Sequence, residues 1–94
     1  MAKYEMLYLI NNELTDEAKD AKVAKYEEVV KSMGGNVVST DKWGTKKTAY
    51  PIRFKNEAYY VLMTFEASAE VVGELDRIAG INADVYRRII TKLN

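Results

Sequence analysis

Ala58-Tyr59-Tyr60-Val61-Leu62-Met63-Thr64-Phe65 is the stretch on which the fold turns. Aromatic and β-branched residues dominate it, so it reads as a strand. Its alternate positions Tyr59, Val61, Met63 and Phe65 form one face, and Tyr60, Leu62 and Thr64 the other. Both faces are largely apolar, which is the pattern of a strand with neighbours on either side. Residues 3–10, Lys-Tyr-Glu-Met-Leu-Tyr-Leu-Ile, repeat the pattern, with Tyr4, Met6, Tyr8 and Ile10 on one face and Leu7 and Leu9 on the other. The chain therefore predicts two central strands.

The segments between and around these strands complete the order. Asn11-Asn12-Glu13 reads as a turn, followed by a helix from Thr15 or Asp16 to about Met33. Thr15 suits the N-cap, and Asp16, Glu17 and Asp20 bring negative charge to the positive end of the helix dipole. Val23, Tyr26, Val30 and Met33, flanked by Val29, make a buried stripe at helical spacing. Gly34-Gly35 ends the helix, one glycine supplying a left-handed residue. A second strand runs from Asn36 toward Ile52 with a bulge at Gly44. Lys55-Asn56-Glu57 reads as the turn into the central strand. Ser68 begins a second helix through about Ala79, with Val71 or Val72, Leu75 and Ile78 inward; Gly73 costs it about 1 kcal/mol relative to alanine. Gly80 is its expected stop, and Val85 to Lys92 is the last strand.

The order βαββαβ predicts an α+β, ferredoxin-like domain spanning 1–94, with a four-stranded antiparallel sheet and two helices on one face. Two helices cover one sheet face only. Leu7, Leu9, Tyr60 and Leu62 then belong to the other face, as a protein-partner surface or as a patch shielded by long basic stems.

Composition narrows the function. Cysteine and histidine are both absent from the 94 residues. Disulfides, thiolate chemistry and the commonest acid/base and metal ligand are thereby excluded. No carboxylate pair has an apolar setting suited to split pKa values, so no catalytic residue, metal site, cofactor or small-molecule substrate is expected. The opening Met1-Ala2-Lys3 lacks a signal-peptide pattern and no apolar run approaches membrane-spanning length, so a cytoplasmic chain with no membrane partner is expected.

Charge is placed unevenly. Five basic residues, Lys42, Lys46, Lys47, Arg53 and Lys55, lie between 42 and 55 with no acidic residue among them, although Lys and Arg together number 14 against 14 Asp and Glu. They suit phosphate contacts that position RNA, or equally a charged edge that prevents strand-to-strand association. Trp43 suits a base stack, a partner interface or closure of the chain's own core. Arg87 and Arg88 are consecutive in a strand and emerge on opposite faces; each suits phosphate binding or a pairing with Glu5, and Lys3 extends the same positive area. Tyr59, Tyr60 and Phe65 invite comparison with RNA-recognition motifs, but the basic-Gly-aromatic opening of those motifs is missing.

Several segments resemble the bacterial ribosomal protein S6 family of the small subunit: Lys3-Tyr4-Glu5, Leu14-Thr15, Gly44-Thr45-Lys46-Lys47-Thr48-Ala49-Tyr50-Pro51-Ile52-Arg53, and Ile81-Asn82-Ala83-Asp84-Val85-Tyr86-Arg87-Arg88-Ile89-Ile90-Thr91-Lys92. The resemblance implies the ferredoxin-like fold, no catalysis, and binding to the central domain of 16S ribosomal RNA together with ribosomal protein S18 during assembly. It implies RNA contacts at Arg87 and Lys3. It implies an S18-facing or RNA-facing ribbon at Lys46, Lys47, Ala49, Tyr50, Pro51 and Ile52. Thr48 stands where the family usually has leucine, Arg88 where it more often has a small or apolar residue, and Asn94 ends the sequence without the polar tail of many members. The alternative function is a free-standing interaction module that associates through the open sheet face or edge.

Overall fold

A computed structural model describes residues 1–52 and 55–93, with the side chains of 49–52 and 55 outside the description. Its elements are β1 (Ala2–Ile10), α1 (Asp16–Ser32), β2 (Asn36–Ile52), β3 (Lys55–Ala67), α2 (Ala69–Gly80) and β4 (Val85–Lys92). The sheet order is β2-β3-β1-β4, and every pair is antiparallel. The two strands with apolar residues on both faces are the central ones, as their pattern predicts. The arrangement is the ferredoxin-like α+β fold.

Both helices pack on the sheet face carrying Met6, Tyr8 and Ile10 of β1 and Val61, Met63 and Phe65 of β3. Val23, Tyr26 and Val30 enter from α1, and Val71, Leu75 and Ala79 from α2. Each large apolar side chain buried here contributes about 1.5–3 kcal/mol. Tyr8 meets Tyr26 edge-on at 5.2 Å between ring centroids, the favoured geometry of two ring quadrupoles.

Helix α1 begins as its sequence dictates, with the Ala18 N–H donating to Thr15 Oγ1 at 3.1 Å. At its other end Gly34 has φ +85°. The Gly34 N–H donates to Lys31 O at 3.1 Å and the Gly35 N–H to Val30 O at 2.8 Å, the two bonds of a Schellman cap. The two glycines act differently. Gly34 supplies the left-handed turn, whereas a Cβ on Gly35 would lie 2.9 Å from Glu66 O and 2.9 Å from Val30 Cγ1.

Two expectations are corrected. The α1 stripe stops at Val30: Met33 is the C-cap and 41% exposed, because the capping turn carries it off the core face. Lys19 lies in that stripe instead, 8% exposed, with its Nζ 4.8 Å from the Tyr59 ring centroid. Lys55, Asn56 and Glu57 are not a turn but the start of β3, Glu57 facing Lys47 and Lys55 facing Ile52; opposite charges stabilise a cross-strand pair. Gly80 is the last residue of α2, as expected, and Ile81 is the C-cap with φ −89°. Ser68 takes the N-cap place, with no side-chain capping bond.

Two outcomes follow for stability. Gly35→Ala is expected to cost about 1–3 kcal/mol through overpacking, measured by urea denaturation. The Tyr8 hydroxyl is buried with no hydrogen-bond partner, and burial pushes its pKa well above the usual 10.0. Tyr26 is raised as well, chiefly by burial. A raised folded pKa means stability that is complete below pH 10 and declines above it, as the unfolded tyrosine ionises and the folded one does not. Tyr8→Phe is expected to leave stability at pH 7 nearly unchanged and to flatten the decline above pH 10 in pH-dependent unfolding.

Candidate interface on the open sheet face

Strand register sets most residues of the uncovered face in rows across the sheet. Asn36, Glu66 and Lys3 form the first row; Ser39, Thr64, Glu5 and Thr91 form the second. The third is Asp41, Leu62, Leu7 and Ile89, and the fourth Gly44, Tyr60, Leu9 and Arg87. Polar rows thus give way to an apolar row and then to one that ends in a guanidinium. Leu7, Leu62 and Tyr60 are half-buried and Ile89 is 42% exposed. Leu9 is only 5% exposed. All four apolar residues expected on this face lie on it.

The bulge at Gly44, where φ is +88°, inserts Trp43 beside the fourth row. Its ring stacks on Tyr60 at 6.1 Å with 13° between planes. Lys46 Nζ lies 5.1 Å from the Trp43 centroid, and Trp43 Nε1 donates to Asp41 Oδ2 at 3.1 Å. Trp43 therefore does not close the core; it stands on the opposite side of the sheet, 40% exposed. A cation over a stacked aromatic pair presents both a π face and a positive charge to an incoming ligand.

The basic residues divide by side-chain parity. Lys42 turns to the helix side, its Nζ donating to Asp20 Oδ1 at 2.8 Å, and that bond raises its pKa. Lys46 faces the open side, while Lys47, exposed, stands opposite Glu57. Arg87 stands opposite Leu9 on the open face; Arg88, opposite Tyr8, is on the helix side. Arg88 Nε donates to Asp76 Oδ1 at 3.0 Å, and its guanidinium passes so near Gly80 that a Cβ there would lie 2.8 Å from Nη2. Glu5 stands opposite Thr91 rather than either arginine. Lys3 lies six residues from Leu9 along β1, about 20 Å, with Glu5 and Leu7 between, so its charge is separate from that of Arg87. Arg53 lies outside the described residues, as do the side chains of Ala49, Tyr50, Pro51, Ile52 and Lys55.

A family model described as ribosomal protein S6 matches residues 3–92. The chain is 40% identical over 93 residues to the small ribosomal subunit protein bS6 of Moorella thermoacetica, covering 99% of this chain and 95% of that protein. The chain belongs to the ribosomal protein S6 family. The protein of the same name from Carboxydothermus hydrogenoformans is 36% identical over 92 residues, covering 98% of this chain and 96% of that one. The crystal structure of the 30S ribosomal protein S6 of Thermotoga maritima superposes with a TM-score of 0.91 at 20% identity, covering 97% of this chain and 86% of that one. It shows the same fold.

Ribosomal S6 proteins are structural components and not enzymes. Among the described residues no helix is long and apolar enough to cross a membrane, and no group of three metal-ligating side chains gathers. Sequence reasoning missed Ile89 and Asp41 on the open face. The bulges at Trp43 and Tyr86 hid both, since each shifts the alternation of its strand. Trp43→Ala is expected to lower stability by about 1 kcal/mol, the scale of a surface stack and cation–π contact. Urea denaturation checks this; a loss of about 3–5 kcal/mol, typical of a core tryptophan, contradicts the placement.

Proposed function

We propose that this chain is a structural constituent of the small ribosomal subunit in the cytoplasm, binding the central domain of 16S ribosomal RNA together with ribosomal protein S18. Membership of the ribosomal protein S6 family carries the proposal. The open face supports it. The Leu62–Leu7–Ile89 row suits coverage by a protein, and the Trp43, Tyr60, Lys46 and Arg87 end suits an RNA backbone or a splayed base. Lys3 and Lys47 are second-rank phosphate contacts in this reading, being separated from that end or set opposite a carboxylate.

Zero formal net charge gives the chain little long-range attraction for a polyanion. A basic companion supplies the missing field, so the competent RNA-binding surface is the pair and not this chain alone. Binding to a central-domain 16S fragment, measured with and without S18 at several salt concentrations, is expected to be tight and salt-dependent only when S18 is present. Arg87→Ala and Lys46→Ala are each expected to lower the log–log salt slope by about 1, and Lys42→Ala, already paired with Asp20, to leave it unchanged. If S18 neither binds the chain nor improves its RNA affinity, association of the chain with itself through Leu7, Leu9, Tyr60 and Leu62 becomes the better reading.

A further inference from the structure

We infer that β4 has two registers on β1, and that Tyr86 is the residue of slack between them. The inference concerns the strand itself and stands apart from the proposed function. Ile10 faces Val85, but Leu9 faces Arg87, so a bulge at Tyr86 interrupts the ladder. The chain before the bulge is fixed. The Asn11 N–H donates to Asp84 O at 2.8 Å, the Asp84 N–H donates to Asn82 Oδ1 at 3.0 Å, and Lys22 Nζ lies 3.8 Å from Asp84 Oδ2.

Beyond the bulge the sequence is Arg87-Arg88-Ile89-Ile90. A ladder continuing from Ile10–Val85 without interruption would set Tyr86 opposite Leu9, Arg87 opposite Tyr8, Arg88 opposite Leu7 and Ile89 opposite Met6. A one-residue slip ordinarily throws the whole apolar set onto the wrong face. Here the two positions opposite Met6 and Tyr8 keep their residue type. An arginine still reaches the Asp76 and Gly80 side of the sheet, and an isoleucine still enters the core beside Met6. β4 is also an edge strand, so the slide breaks one ladder, that to β1, and exchanges the Arg88–Asp76 pair. Losing the bulge restores continuous pairing.

Several terms favour the bulged register, among them the Leu93 N–H bond to Lys3 O at 2.8 Å and the place of Ile90 against the core, which the slip would move opposite Glu5. The slipped one brings Lys92 opposite Lys3, and like charges directly opposite are destabilising. It also sets Arg88, in place of Ile89, into the row with Leu7 and Leu62. The open-face guanidinium thereby moves from Leu9 to Leu7, two residues or about 7 Å along β1. The slide thus changes the middle of the open face from apolar to basic while leaving the core composition intact. An apolar partner selects the first state and a polyanion the second.

The absence of cysteine lets engineered thiol pairs report register. Glu5→Cys with Thr91→Cys traps the bulged register, and Lys3→Cys with Lys92→Cys the slipped one. Under mild oxidation both pairs are expected to close, the second more slowly. Two variants block the slide. Deleting Tyr86 removes the slack and lets the present faces pair without a bulge. Ile89→Lys, on an exposed position in the bulged register, would be forced against Met6 in the slipped one. Each is expected to slow closure of the Lys3→Cys/Lys92→Cys pair at least tenfold, the ratio set by ~1.4 kcal/mol of bias between the states, while Glu5→Cys/Thr91→Cys still closes as the control for folding. Failure of the Lys3→Cys/Lys92→Cys pair to close, or closure at the same rate in both blocking variants, overturns the inference.

Discussion

Two helices resting on one face of a four-stranded sheet set the condition that the rest of the molecule answers to. The helix side takes Met6, Tyr8, Ile10, Val61, Met63 and Phe65 and closes a dry core. The same central strands carry Leu7, Leu9, Tyr60 and Leu62 on their other face, and among the described residues no helix lies over them. A continuous apolar row across three strands is more than scattered surface hydrophobics require, and such patches mark interaction sites. The proposed function rests on that face, and membership of the ribosomal protein S6 family gives it its setting.

Strand parity then sorts the charge. Lys42 and Arg88 point to the helices, where Asp20 and Asp76 engage them. Lys46 and Arg87 point the other way, beside Trp43 and Tyr60 or Leu9. Adjacent cations that look equivalent in the sequence therefore do different work: one set ties β2 and β4 to the helix layer, and the other charges the aromatic end of the open face. Surface ion pairs of this kind contribute only about 0–1 kcal/mol each. Their larger effect is to decide which cations remain on the side that meets a partner.

Much of this was legible before the structure. Period-two alternation identified β1 and β3 as central strands, and Thr15 and Gly34 marked both ends of α1 because capping chemistry is local. Gly44 marked its bulge for the same reason. What the sequence hid was long-range. Met33 falls at helical spacing yet caps the helix outward, and Lys19 looks solvated until Tyr59 receives it. Glu57 resembles a turn residue until Lys47 is known to face it. The approach of the Arg88 guanidinium to Gly80 joins β4 to the end of α2 and has no local signal. Arg87 and Arg88 could not be assigned to faces by pattern, since the bulge at Tyr86 that sets their parity carries no glycine or proline to announce it.

On this proposal the uncovered sheet face is the surface used in assembly. Methyl NMR of the chain, with and without ribosomal protein S18 and the 16S central-domain fragment, tests it directly. Leu7, Leu9, Leu62 and Ile89 methyls are expected to shift or broaden on addition, while Val23, Val71 and Leu75 on the helix side stay in place. Perturbation concentrated on the outer surfaces of α1 and α2, with the four open-face methyls unmoved, would contradict the account.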